Sequence, residues 1–176
     1  MNMQILIAGF GGQGVLFAGK FLATKGLIEG KNVSWLPSYG PEMRGGTANC
    51  SVIISDEPVG SPIVSEPDCL VAMNLPSLER YKDSVVTGGM IIVDSTLVDE
   101  KVERKDVSVF YVPATKMAKE EGFATLANMI LCGKLIKECS ELSFENADDA
   151  LKKVIPPRKA SLLEINLKAL KVGHEF

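Results

Sequence analysis

Short runs of unbroken apolar residues alternate along this chain with longer stretches whose apolar positions recur every three or four residues. The first run, Gln4-Ile5-Leu6-Ile7-Ala8, leads directly into Gly9-Phe10-Gly11-Gly12-Gln13-Gly14. Gly12 to Glu29 then reads as a helix, with Val15, Ala18, Leu22 and Leu27 at helical spacing and Gly30 as its cap. Val33 to Leu36 is a second strand ending in Pro37-Ser38, and Thr47 to Ser55 is a longer one that turns at Asp56-Glu57-Pro58. Cys69 to Met73 and Met90 to Asp94 are continuous apolar runs, as expected of strands covered on both faces, and Phe110-Tyr111-Val112 ends another. Between them, Pro76 to Ser84 is a short helix with an early proline. Lys116 to Glu121 is a second, with Thr115 as its cap and Gly122 closing it. Strands alternating with helices over this length predict a doubly wound, mostly parallel α/β sheet.

Three helices are expected to close the chain. Ala124 to Cys139 is apolar nearly all round, with Leu126, Met129, Ile130, Leu131, Cys132, Leu135 and Ile136 covering most of its circumference. Such a helix requires burial on more than one side, under the other two helices, in a subunit interface, or both. Ser143 to Val154 is amphipathic, and Ser161 to Val172 follows Pro156-Pro157 with Gly173 as its stop. The double proline is either a stiff surface connection or a joint that carries residues 156–176 onto a partner.

At 176 residues the chain is one domain, 1–176, with a single core. A net charge of −3 leaves no basic footprint for nucleic acid. No apolar run approaches the roughly 18 residues of a membrane span. Cys50, Cys69, Cys132 and Cys139 contain no Cys-x-x-Cys pair and follow no secretory leader, which predicts free thiols in the cytoplasm. The single histidine, His174, lies three residues from the end, so no histidine-based nucleophile, metal site or proton relay is expected. The cysteine spacings do not suit a cubane cluster either.

The glycines from Gly9 to Gly14 satisfy Gly-x-Gly-x-x-Gly, a tight turn that opens a helix and aims free N–H groups at an anion, in a Rossmann-like setting. A dinucleotide site also needs an acid about twenty residues on, at the end of the second strand. Glu29 has that separation but falls in the helix tail. Gly9, Gly11, Gly12, Gln13 and Gly14 therefore form either an anion cradle or a tight turn packed on a partner, and without the ribose acid the second is favoured.

The second strand runs into Pro37-Ser38-Tyr39-Gly40-Pro41-Glu42-Met43-Arg44-Gly45-Gly46-Thr47, a loop stiff at its entry, permissive at its exit and polar at its tips. Together with the glycine turn, this wording resembles the gamma subunit of the 2-oxoacid:ferredoxin oxidoreductases. The similarity continues through Asn74-Leu75-Pro76-Ser77-Leu78, Val112-Pro113-Ala114-Thr115, Ala127-Asn128-Met129 with Gly133, and the closing Asn166-Leu167-Lys168-Ala169-Leu170-Lys171-Val172-Gly173.

The resemblance implies a subunit of an enzyme that oxidatively decarboxylates a 2-oxoacid with coenzyme A to acyl-CoA and carbon dioxide, passing electrons to ferredoxin. It implies no cofactor on this chain: thiamine diphosphate, Mg2+ and iron–sulfur clusters belong to thiamine-binding and ferredoxin-like partner subunits, with coenzyme A nearby. The chain alone is then inactive. Met43 makes the loop most similar to the 2-oxoglutarate type, ahead of branched-chain oxoacids and pyruvate. Tyr39, Glu42 and Arg44 are interface or substrate-channel candidates, Arg44 foremost because a guanidinium binds carboxylate or phosphate bidentately. Asn128, in its apolar helix, is a satisfied buried amide or a partner contact. Two rivals are a free-standing NAD(P)-dependent oxidoreductase and a non-catalytic nucleotide-sensing or assembly module.

Overall fold

A computed structural model describes residues 1–38, 47–123 and 125–176. Six strands form one sheet: β1 (Asn2–Phe10), β2 (Asn32–Ser38), β3 (Thr47–Ser55), β4 (Cys69–Ala72), β5 (Met90–Asp94) and β6 (Ser108–Val112). Their order across the sheet is β2-β3-β1-β4-β5-β6. β1, β4, β5 and β6 are parallel neighbours, whereas β3 runs antiparallel to both β1 and β2. The expected α/β sheet, mostly parallel, is present.

The helices are α1 (Val15–Ile28), α2 (Leu75–Tyr81), α3 (Ala114–Glu120), α4 (Ala127–Glu138), α5 (Ala147–Val154) and α6 (Leu162–Glu175). Among the described residues no helix is long and apolar enough to cross a membrane. One face of the sheet carries the larger core, in which Ile5, Ile7, Val52, Ile54 and Val71 meet Phe21 and Leu22 of α1 and Met129, Ile130 and Leu135 of α4. The other face buries Leu6, Ile53, Leu70, Ile91 and Val93 beneath Leu78 of α2 and the irregular segments around Val64 and Val98. The alternation along β1 explains the split: odd positions enter one core and Leu6 the other.

Burial of α4 is met inside the chain, since Asn128 to Ile136 are all buried, chiefly against α6. Glycines make that contact close. A Cβ on Gly133 would lie 2.8 Å from the His174 amide nitrogen and 2.9 Å from the Leu170 carbonyl carbon; one on Gly173 would lie 2.6 Å from the Ile130 carbonyl carbon. Gly173 was expected to stop α6. It instead sits inside the helix, which runs on to Glu175, because its missing side chain admits the backbone of α4.

Gly30 (φ 77) and Gly122 (φ 78) do close α1 and α3. Other boundaries move inward: α4 starts at Ala127 after Leu126, and α5 at Ala147 after Asn146, the lone non-glycine described with positive φ (59). Leu27, placed with the buried stripe of α1 by its spacing, is 58% exposed near the helix end, beyond the sheet's cover. Pro156-Pro157 leads through a short 3-10 turn, Pro157–Lys159, into α6.

Candidate functional site

The carboxyl ends of β1, β4 and β5 lie side by side, and a polar group follows each. After β1, Gln13 latches the glycine turn. Its Oε1 accepts from the Phe10 amide at 2.6 Å, while Nε2 donates to the Met73 carbonyl at 3.1 Å, joining the ends of β1 and β4. Gly9 is required by this latch, because a Cβ there would lie 2.6 Å from Gln13 Oε1 and 2.9 Å from Met73 Cβ.

Gly14 has φ 76, and any side chain on it would overlap Asn128. Asn128 reaches from α4 to donate Nδ2 to the Gly14 carbonyl at 3.0 Å. Gly11 and Gly12 differ. Both are exposed, and the space beside Gly12 (φ 93) is open. The five turn residues thus divide into a structural set (Gly9, Gln13, Gly14) and an open pair (Gly11, Gly12).

The start of α1 beyond that pair has no side-chain cap and no acid in its first turn. The amides of Gly11, Gly12, Gly14, Val15 and Leu16 donate to no other described residue. Uncapped N–H groups at the positive end of a helix dipole favour an anion. Beside them opens a cavity of about 410 Å3 lined by Phe17, Lys20, Asn128, Ile155, Lys159 and Asn166, among others. Its two charged residues are both lysines. Asn128 and Asn166 each keep a buried Oδ1 without a hydrogen-bond partner among the described residues, although Asn166 Nδ2 donates to the Leu162 carbonyl at 2.8 Å. Asn128 is therefore half satisfied.

The residues after β4 and β5 are structural. Asn74 caps α2, accepting from the Ser77 amide at 2.9 Å. Asp94 is fully buried, and its carboxylate accepts from the Thr96 amide (3.1 Å), the Thr115 amide (3.3 Å) and Thr115 Oγ1 (2.6 Å). Thr115 was expected to cap α3. The helix begins at Ala114, two residues before the expected Lys116, so Asp94 of the neighbouring strand supplies the cap and Thr115 becomes its donor.

Glu29 is the C-terminal boundary of α1 and accepts from the fully buried Lys25 at 2.6 Å, with Lys25 also donating to the Glu145 carbonyl at 2.7 Å. A carboxylate balancing a buried ammonium at the far end of α1 from the glycine turn does not hold a ribose. All four cysteines are free and buried, and burial pushes the Cys50 thiol up to about 12. The His174 ring packs against Phe144 at a tilt of 50°, with ring centroids 4.6 Å apart. Tyr39, Glu42 and Arg44 lie outside the described residues.

A larger cavity of about 710 Å3 lies at the opposite edge of the sheet, lined by Met1, Gln4, Asp56 and the 57–63 segment, and touches none of these groups. Sequence reasoning missed Lys20 and Lys159, whose positions on a helix or beside a double proline carry no signal, and it quoted Asn166 in the closing family motif without singling it out as a site residue. Asp94 had one: an acid ending an apolar run at a strand's carboxyl end.

Comparison with known proteins agrees with this architecture. Ketoisovalerate oxidoreductase subunit VorA of Methanothermobacter thermautotrophicus is 42% identical over 176 residues, 99% of this chain, but the chain spans only 36% of that protein's length. The 2-oxoglutarate synthase subunit KorC of Methanothermobacter marburgensis is 40% identical over 183 residues, covering all of this chain and 97% of the relative. The crystal structure of a keto/oxoacid ferredoxin oxidoreductase gamma subunit from Geobacter sulfurreducens superposes with a TM-score of 0.83 at 30% identity, over 98% of this chain and 96% of that one. With residues 4–176 matching its sequence model, the chain belongs to the pyruvate ferredoxin/flavodoxin oxidoreductase family.

Proposed function

We propose that this chain is the gamma subunit of a thiamine-dependent 2-oxoacid:ferredoxin oxidoreductase, and that the start of α1 holds an anionic part of coenzyme A. The observation that carries this is a helix start whose Gly11 and Gly12 amides donate to no other described residue, with a cavity that touches the turn at Gly14 and carries Lys20 and Lys159, and no nucleophile or acid–base pair lining it among the described residues. Such a site binds; it does not react. Thiamine diphosphate, Mg2+ and the iron–sulfur clusters belong to partner subunits, which perform decarboxylation and electron transfer to ferredoxin.

The favoured substrate is 2-oxoglutarate, yielding succinyl-CoA, with branched-chain oxoacids and pyruvate behind it. Support comes from the loop wording around Met43 and from the end-to-end match to a subunit named for 2-oxoglutarate. In that setting Tyr39, Glu42 and Arg44 contact a partner or the substrate channel.

The test is the complex reconstituted from all its subunits, assayed for coenzyme A-dependent ferredoxin reduction with 2-oxoglutarate, 2-oxoisovalerate and pyruvate. A specificity constant highest for 2-oxoglutarate is expected. A preference for either monocarboxylate by more than about tenfold, or ~1.4 kcal/mol in transition-state binding, defeats the substrate assignment. Oxoacid oxidation by this chain alone would defeat the division of labour. A micromolar affinity for NADH would restore the dehydrogenase rival.

A further inference from the structure

We infer that Met3, Met90 and Cys139, which line one cavity where strands β1, β4 and β5 begin, form a site for a soft monovalent metal cation of the copper(I) class. The site is independent of the coenzyme A reading, because the glycine turn lies at the other end of β1.

Strand register brings the sulfurs together. Ile5 pairs with Cys69 and Cys69 with Met90, so Cys69 and Met90 stand on the core face that also carries Met3, two residues before Ile5. The end of α4 covers this corner. Cys139, the C-terminal boundary of that helix, donates Sγ to Met3 Sδ at 3.2 Å. Met3 is 5% and Cys139 6% exposed, Met90 is half-buried, and Cys69 is fully buried.

Met3, Met90 and Cys139 line a cavity of about 310 Å3 that opens to solvent and gives an ion its way in. The charged residues around it are all acids: Asp68, Glu138 and Glu141. Two of them are engaged, Asp68 by the Gln4 amide at 2.7 Å and Glu138 by Lys134 at 2.7 Å. Among the described residues no lysine or arginine lines the wall. The carboxyl end of α4 adds the negative end of its dipole. Such surroundings attract a cation, and the donors decide which one.

Thioether sulfur is a soft donor suited to copper(I). Among the described residues no three His, Cys, Asp or Glu side chains are placed to hold a metal, as a zinc or calcium site would require. Binding exchanges the S–H bond of Cys139 for a sulfur–metal bond, and the proton leaves to water through the cavity. One thiolate and one monovalent cation form a neutral pair, whereas a divalent ion on the same three ligands would leave a net charge in apolar surroundings. With metal–sulfur bonds of about 2.3 Å, trigonal sulfurs stand roughly 4 Å apart, so Met3 and Cys139 open by less than about 1 Å, a movement that the unbranched methionine supplies.

The test titrates the full chain, without oxygen, with copper(I) supplied as its acetonitrile complex in competition with bicinchoninate, and with silver(I) as a redox-inert probe. One ion bound per chain and one proton released per ion are expected, with the melting temperature raised by about 5–10 °C at about 100 times Kd. Cys139→Ser should weaken binding by at least about 100-fold, since loss of mere outer-shell partners already costs about 10–100-fold. Met3→Leu and Met90→Leu, which keep the volume, should each weaken it by about fivefold or more, and Met117→Leu, a thioether on α3, by less than about twofold.

Unchanged affinity in Cys139→Ser overturns the inference, as does release of no proton or of two, or zinc(II) binding as tightly as copper(I). Should Cys139→Ser not fold, X-ray absorption at the copper edge of the unaltered chain replaces it: a shell of sulfur alone is expected, and a shell dominated by nitrogen or oxygen overturns the inference.

Discussion

Replacing Gly133 by alanine adds one methyl group at the tightest point of the α4–α6 contact. That methyl would overlap the Leu170 carbonyl oxygen and sit 2.8 Å from the His174 nitrogen and 2.9 Å from the Leu170 carbonyl carbon. Every one of those atoms is backbone, so no side chain can rotate away. Ordinary contact is about 3.5–4.0 Å, and the helices must separate by roughly 1 Å to restore it. Separation also loosens packing around Met129, Ile130, Ala169 and Leu170, all fully buried.

Overpacking of this kind costs about 1–3 kcal/mol, and the rigid neighbours place this site at the upper end. Alanine recovers about 1 kcal/mol of helix propensity. A net loss of about 2 kcal/mol remains, which for a chain of 176 residues lowers the melting temperature by about 4–8 °C. Thermal unfolding followed by circular dichroism measures it, with Gly60→Ala as control, since nothing lies within 4 Å of a Cβ there. A Gly133→Ala variant melting at or above the unaltered chain would refute the argument.

Three further outcomes follow from other contacts. Asp94→Ala strands the Thr96 and Thr115 amides and the Thr115 hydroxyl in a buried setting and should cost about 2–3 kcal/mol, read as a lowered denaturant midpoint at unchanged slope; a smaller effect than Lys116→Ala would contradict it. Burial pushes the Cys50, Cys69 and Cys132 thiols up, so native protein at pH 8 should react with a thiol reagent only slowly and the denatured chain at all four cysteines; rapid stoichiometric labelling of folded protein would disprove this. The Arg104 guanidinium, aided by the Thr87 hydroxyl, holds the Asp106 carboxyl down to about 2; because the folded pKa is depressed, this contribution is present above the ordinary carboxylate range near ~4 and is lost as pH falls through about 2. Asp106→Asn should accordingly melt below the unaltered chain at pH 7, with the gap closing between pH ~4 and ~2; a gap independent of pH would count against the pairing.

Much of the fold was legible because the sheet is buried on both faces. Cys69 to Met73 and Met90 to Asp94 could be assigned from unbroken aliphatic runs alone, and Thr47 to Ser55 coincides with β3. Direction was not legible: no residue in β3 reveals that it runs against its neighbours, since direction is fixed by the path of the loops. The errors share one cause. Gly173, Thr115 and Leu27 were read by local rules for stops, caps and stripes, and each was overruled by a partner distant in sequence: the Ile130 carbonyl, the Asp94 carboxylate and the limit of the sheet's cover. The glycine turn was half legible. Its tightness follows from composition, but the Gln13 latch to Met73 and the Asn128 contact with Gly14 are made across 60 and 114 residues.

The interposed strand β3 has a consequence for synthesis on the ribosome. Residues 1–38 look like a self-contained strand–helix–strand unit, yet β1 and β2 are not hydrogen-bonded neighbours, and among the described residues β2 pairs with β3 alone. An N-terminal segment halted before residue 47 holds two strands with no ladder between them and an α1 that lacks its contacts with β3, α4 and α5. β1 acquires its first neighbour only when β3 emerges, and its second with β4, pairing Ile5 with Cys69. Order must therefore arrive late and together, with the apolar face of β1 shielded in the interval by collapse onto α1 or by a chaperone.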